Sequence, residues 1–282
     1  MMNYNRREFL QYASLAAGSV LLVPELFGKP AKFSPGLQLY TVRNAMGEDP
    51  KGTLKQVADI GYKVLETASY KDGKFYGFAA SEFAKITKDL GMNVVSSHIG
   101  IDEILKNIDQ VVDALQASGQ QFLVVPYIGN EYRSADGYKK LADQLNDKGA
   151  VCKKGGIKLV YHNHAFEFED LGGTTGMDIL LNIGNRDLVN FESDLYWVSK
   201  AGLDPLAFLK KYPGRFPLWH VKDMADTPEK GFAEVGKGTI DYNTLFENAS
   251  IAGLEYFFVE QDRSDDPMNS IKISYKGVKK IL

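Results

Sequence analysis

From residue 35 onward the chain switches between two hydrophobic periods. Compact apolar runs at 36–40, 62–66, 92–97, 121–125, 188–192, 216–221 and 255–259 predict strands, and so does a run entered at Ile157 and ending by Asn163. Between them, apolar residues three and four apart predict helices over 50–60, 80–90, 102–118, 134–154, 175–183, 204–212 and 242–252, with a last one over 267–281. In the third of these, Ile104, Leu105, Ile108, Val111, Val112 and Leu115 share one face. Gly61, Gly91, Gly119 and Gly253 stop helices, and Asp204 before Pro205 reads as an N-cap.

Strand and helix alternate without a linker long enough to divide domains, which favours a parallel sheet. Eight such units in roughly 250 residues favour closure over an open sheet. No glycine-rich phosphate loop follows the first strand, as a doubly wound sheet would ask. The expected fold is α/β, a single (β/α)8 TIM barrel over 35–282. With 282 residues and 44% hydrophobic content, the chain can bury a large core.

Composition then narrows the partners. A formal net charge of −3 and no long basic run argue against nucleic acid. The single cysteine, Cys152, excludes an intrachain disulfide and a cysteine-based zinc site. Residues 1–34 stand apart. Arg6-Arg7, then Phe9-Leu10 and an uncharged run from Tyr12 to Val23, look like a twin-arginine export signal and linker. The expectation is a periplasmic protein handled in transit by the twin-arginine machinery. The run is shorter than the roughly 20 apolar residues that span a bilayer, so no stable membrane span is expected. Oligomeric state is left open.

In a barrel of this kind the chemistry gathers where strands end. Those ends carry Gln38, Glu66, His98, His162, His164, Glu167, Asp194, His220 and Glu260, a set that takes in all four histidines of the chain. Asp194, His220 and Glu260 end three consecutive strands about 4.8 Å apart, so they can converge on one cation. Two carboxylates and an imidazole suit Mn²⁺, Mg²⁺, Fe²⁺ or Zn²⁺. Singly, each has a plain structural alternative: a helix cap for Asp194, a core histidine for His220, an Arg263 partner for Glu260.

At these residues the chain resembles the xylose isomerase-like barrels, which include sugar isomerases and epimerases, inosose dehydratases and enzymes of 3-keto-glycosides. The resemblance is carried by Leu37-Gln38-Leu39-Tyr40-Thr41-Val42-Arg43, Tyr161-His162-Asn163-His164 and Glu192-Ser193-Asp194-Leu195-Tyr196-Trp197. Trp219-His220-Val221-Lys222-Asp223, Glu234-Val235-Gly236-Lys237-Gly238 and Val259-Glu260-Gln261 complete it. It implies one divalent cation, Mn²⁺ first among the candidates, held by Asp194, His220, Glu260 and a residue after the fifth strand. Members often have Glu-Asn-His there, where this chain has His162-Asn163-His164. Glu167 is the expected fourth ligand, since it restores the charge balance and frees His162 as a base; His162 itself is the alternative.

The resemblance implies an isomerase or epimerase acting on a keto-sugar or sugar derivative. His162 or His164 would remove a proton next to the carbonyl, through a metal-stabilised enediolate. Loss of a β-oxygen substituent would make it a lyase or dehydratase on a 3-keto-glycoside or inosose instead. Lys222 is expected to hold an oxyanion, or else to pair structurally with Asp223. Glu66, His98 and Trp197 are expected to contact the carbohydrate. A non-enzymatic exported sugar-binding barrel is the rival from another class.

Overall fold

The structure, a computed structural model, describes residues 33–282. The export segment expected around Arg6-Arg7 lies outside the described residues. The strands are β1 (Gly36–Gln38), β2 (Val64–Thr67), β3 (Asn93–His98), β4 (Phe122–Val125), β5 (Lys158–His162), β6 (Val189–Asp194), β7 (Leu218–Val221) and β8 (Tyr256–Val259). All pair in parallel and close into a barrel whose neighbours follow chain order, with β1 joining both β2 and β8. The fold is the expected (β/α)8 TIM barrel.

The local causes are those written in the sequence. The helix Ile101–Ala117 buries Ile104, Ile108, Val111, Val112 and Leu115, each contributing about 1.5–3 kcal/mol if fully removed from water. Ser134 caps Ala135–Lys154 by accepting from Gly137 N at 3.1 Å, and Asp204 caps Pro205–Lys211 by accepting from Leu206 N at 2.9 Å.

Some elements differ from expectation. The first strand stops at Gln38, because its Oε1 accepts from Tyr40 N at 3.0 Å and starts a 3-10 turn over Leu39–Val42. The helix expected over 242–252 breaks at Asn248 into Tyr242–Glu247 and Ala249–Ala252. Short helices at Arg43–Glu48 and Leu195–Lys200 add to the pattern, as does a hairpin of Asp223–Met224 with Phe232–Ala233.

Strand alternation decides what fills the barrel. Toward its N-terminal end, Val64, Phe122, Val124, Val160, Leu218 and Phe258 form an apolar cluster separate from the layer beneath the helices. Two residues further along several of these strands the inward positions become polar: Glu66 after Val64, His162 after Val160, His220 after Leu218 and Glu260 after Phe258. Register aligns Gln38 with Glu66, Glu66 with Ser96, His162 with Glu192 and Asp194 with His220. The barrel is therefore dry below and charged above.

Candidate functional site

His162, Asp194, His220 and Glu260 each offer a ligand atom, and all four atoms lie within 4.8 Å of one another. His162 Nε2 is 3.3 Å from Asp194 Oδ2, and His220 Nδ1 is 2.7 Å from Glu260 Oε2 and 3.9 Å from Asp194 Oδ2. His220 Nδ1 is buried and, despite the short approach, makes no aligned hydrogen bond among the described residues. A nitrogen so placed among carboxylate oxygens fits a shared cation. Its other nitrogen, Nε2, is 2.7 Å from Glu66 Oε1, the outer carboxylate that commonly orients a ligating histidine. His162 Nδ1 faces Pro126 O at 3.3 Å. Donation to that carbonyl leaves the Nε2 lone pair directed at the cluster. The donor set thus fits a divalent cation with N and O ligands.

Asp194 divides its carboxylate. Oδ1 caps the helix Leu195–Lys200 by accepting from Trp197 N at 3.0 Å, while Oδ2 faces the two imidazoles. The cap and the cluster are served by one side chain. Burial disfavours its charge, but Lys222 and His162 outweigh that and bring its pKa down to about 2.

Glu66, expected at the substrate, is instead wholly buried beneath the cluster. Its carboxylate receives Gln38 Nε2 at 2.8 Å, Ser96 Oγ and His220 Nε2. Glu192 completes this lower layer, with Oε2 2.8 Å from His98 Nε2 and 3.2 Å from His220 Nε2. Glu192 was not singled out from the sequence. Its signal was there: it lies two residues before Asp194 on one strand, and so on the same face. His98 lines the cavity as expected and stacks on His220 at 5.1 Å. Burial opposes its charge, but Glu66 and Glu192 push its pKa up to about 9. A cation at His220 Nδ1 would displace only a proton held on that nitrogen, while Nε2 keeps its own toward Glu66.

Glu167 stands apart from the cluster. It follows β5 in the 3-10 turn Phe166–Phe168 and folds back to accept from Tyr161 OH at 2.7 Å and His164 N at 2.8 Å. Tyr161 points to the opposite side of β5 from His162, so Glu167 braces the back of the strand. Burial raises its pKa to about 7 against those hydrogen bonds. Glu66 and Glu192 put two further carboxylates under the cluster, so charge balance does not require Glu167 as a ligand.

The remaining expected residues line a cavity of about 1040 Å³ at the mouth of the barrel: His162, His164, Trp197 and Lys222, with Glu260 and Asp262. His164 Nδ1 and Trp197 Nε1 are buried without a hydrogen-bond partner among the described residues. Burial, with His162 and Lys222 adding, holds the His164 imidazole down to about 2, so it is neutral. Lys222 pairs with Asp194, Glu260 and Asp262 rather than with Asp223. Asp223 serves the backbone instead. Its carboxylate accepts four backbone N–H groups, from Met224, Gly236, Gly238 and Ile240, at 2.9–3.1 Å. It thereby holds the loop that brings Gly231 and Phe232 to the cavity wall. Tyr40, Arg43 and Arg263, also on that wall, were not among the expected site residues.

Comparison with known proteins adds the lineage. An inosose dehydratase from Clostridium beijerinckii is 28% identical over 170 residues, covering 54% of this chain and 56% of that protein. The match thus spans little more than half of the relative's length. A sugar phosphate isomerase/epimerase from Parabacteroides distasonis superposes with a TM-score of 0.77 at 24% identity, over 87% of this chain and 97% of that one. A xylose isomerase-like TIM barrel protein from Mycobacterium smegmatis, in complex with magnesium, does so with 0.66 at 14% identity, over 89% and 96%. The family described as "Xylose isomerase-like TIM barrel" matches residues 54–279, and the chain belongs to that family.

Proposed function

We propose that the protein is a divalent-cation-dependent lyase acting on a sugar-like carbonyl compound, such as an inosose or a 3-keto-glycoside. It removes the proton next to the carbonyl and expels the oxygen substituent one carbon further on. The ligands are His162, Asp194, His220 and Glu260. A divalent cation held by them would supply Lewis acidity that makes the C–H beside a substrate carbonyl easier to break. The observation that carries the lyase reading is a base and an acid lining one wall of the cavity, Glu260 and Lys222.

Glu260 takes the proton as the C–H bond breaks and a C=C bond forms. Lys222 Nζ gives a proton to the departing oxygen, which leaves as water or an alcohol, so protons and electrons balance. The free nitrogens of His164 and Trp197 meet substrate hydroxyls, a use that fits their lack of a protein partner. His164, kept neutral by burial, is assigned to orienting the substrate. His162, with Nε2 turned to the ligand cluster, leaves the base role expected of it to Glu260.

A second reading, isomerisation or epimerisation, draws on the imidazole of His98 at the cavity, which offers a second proton-transfer group on a different strand. The inosose dehydratase relative favours the first reading and the fold of the isomerase/epimerase neighbour the second. The twin-arginine segment supports a periplasmic setting for either. The test is NMR of the Mn²⁺-loaded protein with inososes, ketoses and 3-keto-glycosides in deuterated water. An unsaturated ketone with release of the β-substituent is expected. Deuterated isomers that keep every substituent would overturn the lyase reading, and a ligand bound without exchange would show a binding protein.

A further inference from the structure

Lys222 is 1% exposed, and its ammonium meets three carboxylates: Asp194 Oδ2 at 2.8 Å, Glu260 Oε2 at 2.6 Å and Asp262 Oδ1 at 2.6 Å. Two of these oxygens have another role. Asp194 Oδ2 is the atom that faces His162 Nε2 and His220 Nδ1, and Glu260 Oε2 is the atom nearest His220 Nδ1. The ammonium therefore grips the same oxygens that converge on the imidazole nitrogens. The third contact differs in kind. Asp262 lies outside the four-residue cluster, is about a fifth exposed at the cavity, and takes Arg43 Nη2 on its backbone carbonyl at 3.1 Å.

We infer that Lys222 is an internal counter-cation of the metal site: it neutralises Asp194 and Glu260 until a divalent ion takes their oxygens, then keeps only Asp262 and presents its ammonium to the cavity. The inference rests on the ligand assignment proposed above. Its physical basis is the cost of leaving two buried carboxylates without a positive neighbour. Lysine suits the exchange, being a point charge on a flexible stem rather than a fixed fork. Lys222 follows His220 by two residues, which places both on one side of the chain as it leaves β7. Once the divalent ion is in, the ammonium and the ion repel one another, so Lys222 lowers cation affinity. Asp262 then acts as a positioning residue through Lys222.

The test is a chelator competition begun from the Mn²⁺-loaded full chain, which does not require the metal-free variant to fold. Lys222→Met is expected to bind Mn²⁺ about tenfold or more tightly than the wild type, a difference of ~1.4 kcal/mol. Asp262→Asn is expected to bind more weakly, because the displaced ammonium has lost its resting partner. In the Lys222→Met background, the same Asp262→Asn change should shrink to about twofold, the margin within which uncoupled sites add. Affinity unchanged or weakened in Lys222→Met overturns the inference. An equal effect of Asp262→Asn in both backgrounds overturns the part given to Asp262. A wild type that binds no Mn²⁺ overturns the ligand assignment itself, and so separates the two failures.

Discussion

Replacing Glu167 by Gln separates a bracing carboxylate from a ligating one. Glu167 is fully buried, and burial lifts its pKa from the ordinary 4.5 to about 7. The folded protein thus binds this proton more tightly than the unfolded chain. The stabilisation is whole below pH 4.5 and is lost as pH rises through 7. At about 1.4 kcal/mol per pH unit, the window corresponds to roughly 3 kcal/mol. A glutamine there does not titrate, so the stability difference between variant and wild type should move in the variant's favour by roughly that amount from pH 4.5 to 8. At the acid end the wild-type carboxyl is itself protonated and, like the amide, offers one carbonyl oxygen to the donors Tyr161 OH and His164 N–H, so Glu167→Gln should there lie within about 1 kcal/mol of the wild type. Urea unfolding of the metal-free proteins across this range measures both quantities. Metal content by elemental analysis should stay at the wild-type value. A Glu167→Gln protein that loses the cation, or a difference flat with pH, would refute the placement of this side chain behind β5.

The companion variant, His162→Asn, should lose at least the 10–100-fold in cation affinity that even a supporting group is worth, read by chelator competition. Glu66→Gln should weaken cation binding by about 10–100-fold with the barrel intact by circular dichroism, because His220 Nε2 loses its carboxylate; an unchanged affinity would remove Glu66 from the support layer. Replacing Arg6 and Arg7 by Lys should hold the protein in the cytoplasm of its host, and undiminished periplasmic recovery would contradict a twin-arginine signal.

The barrel was legible because its two hydrophobic periods alternate so regularly that only boundaries moved, by a residue or two at most helices and strands. Breaks came where a side chain competes with the ladder, as Gln38 does with Tyr40 N and Asn248 with Thr244 O. The candidate site was legible only as a set of strand ends, of which Asp194, His220 and Glu260 lie together in the structure. Depth was not legible. A strand position gives the face of a residue but not its height in a closed barrel, so Glu66 was expected at the substrate though it lies beneath His220. Glu192, one inward position below Asp194, went unread for the same reason. Glu167, expected at the cation, is turned to Tyr161 and His164, because counting charge along a loop does not give which way the loop folds.

The four amides gathered by Asp223 have a consequence for how this barrel tolerates change. Closing a long excursion between two fixed points costs conformational entropy, and here one buried side chain ties the excursion at Gly236, Gly238 and Ile240 instead of leaving it slack. Gly238 has no room for a side chain, since a Cβ would run into Met224 O and Asp223 Oδ1. The tie fixes the base that carries Lys222, while the tip at 225–231 is held separately, Lys230 O accepting from Tyr196 OH and Lys200 Nζ. Insertions and exchanges at that tip can reshape the wall seen by a ligand while the base stays in register. A change at the tip would then reach the cavity first through Gly231 and Phe232, well before it reached the charged floor pinned by Asp223.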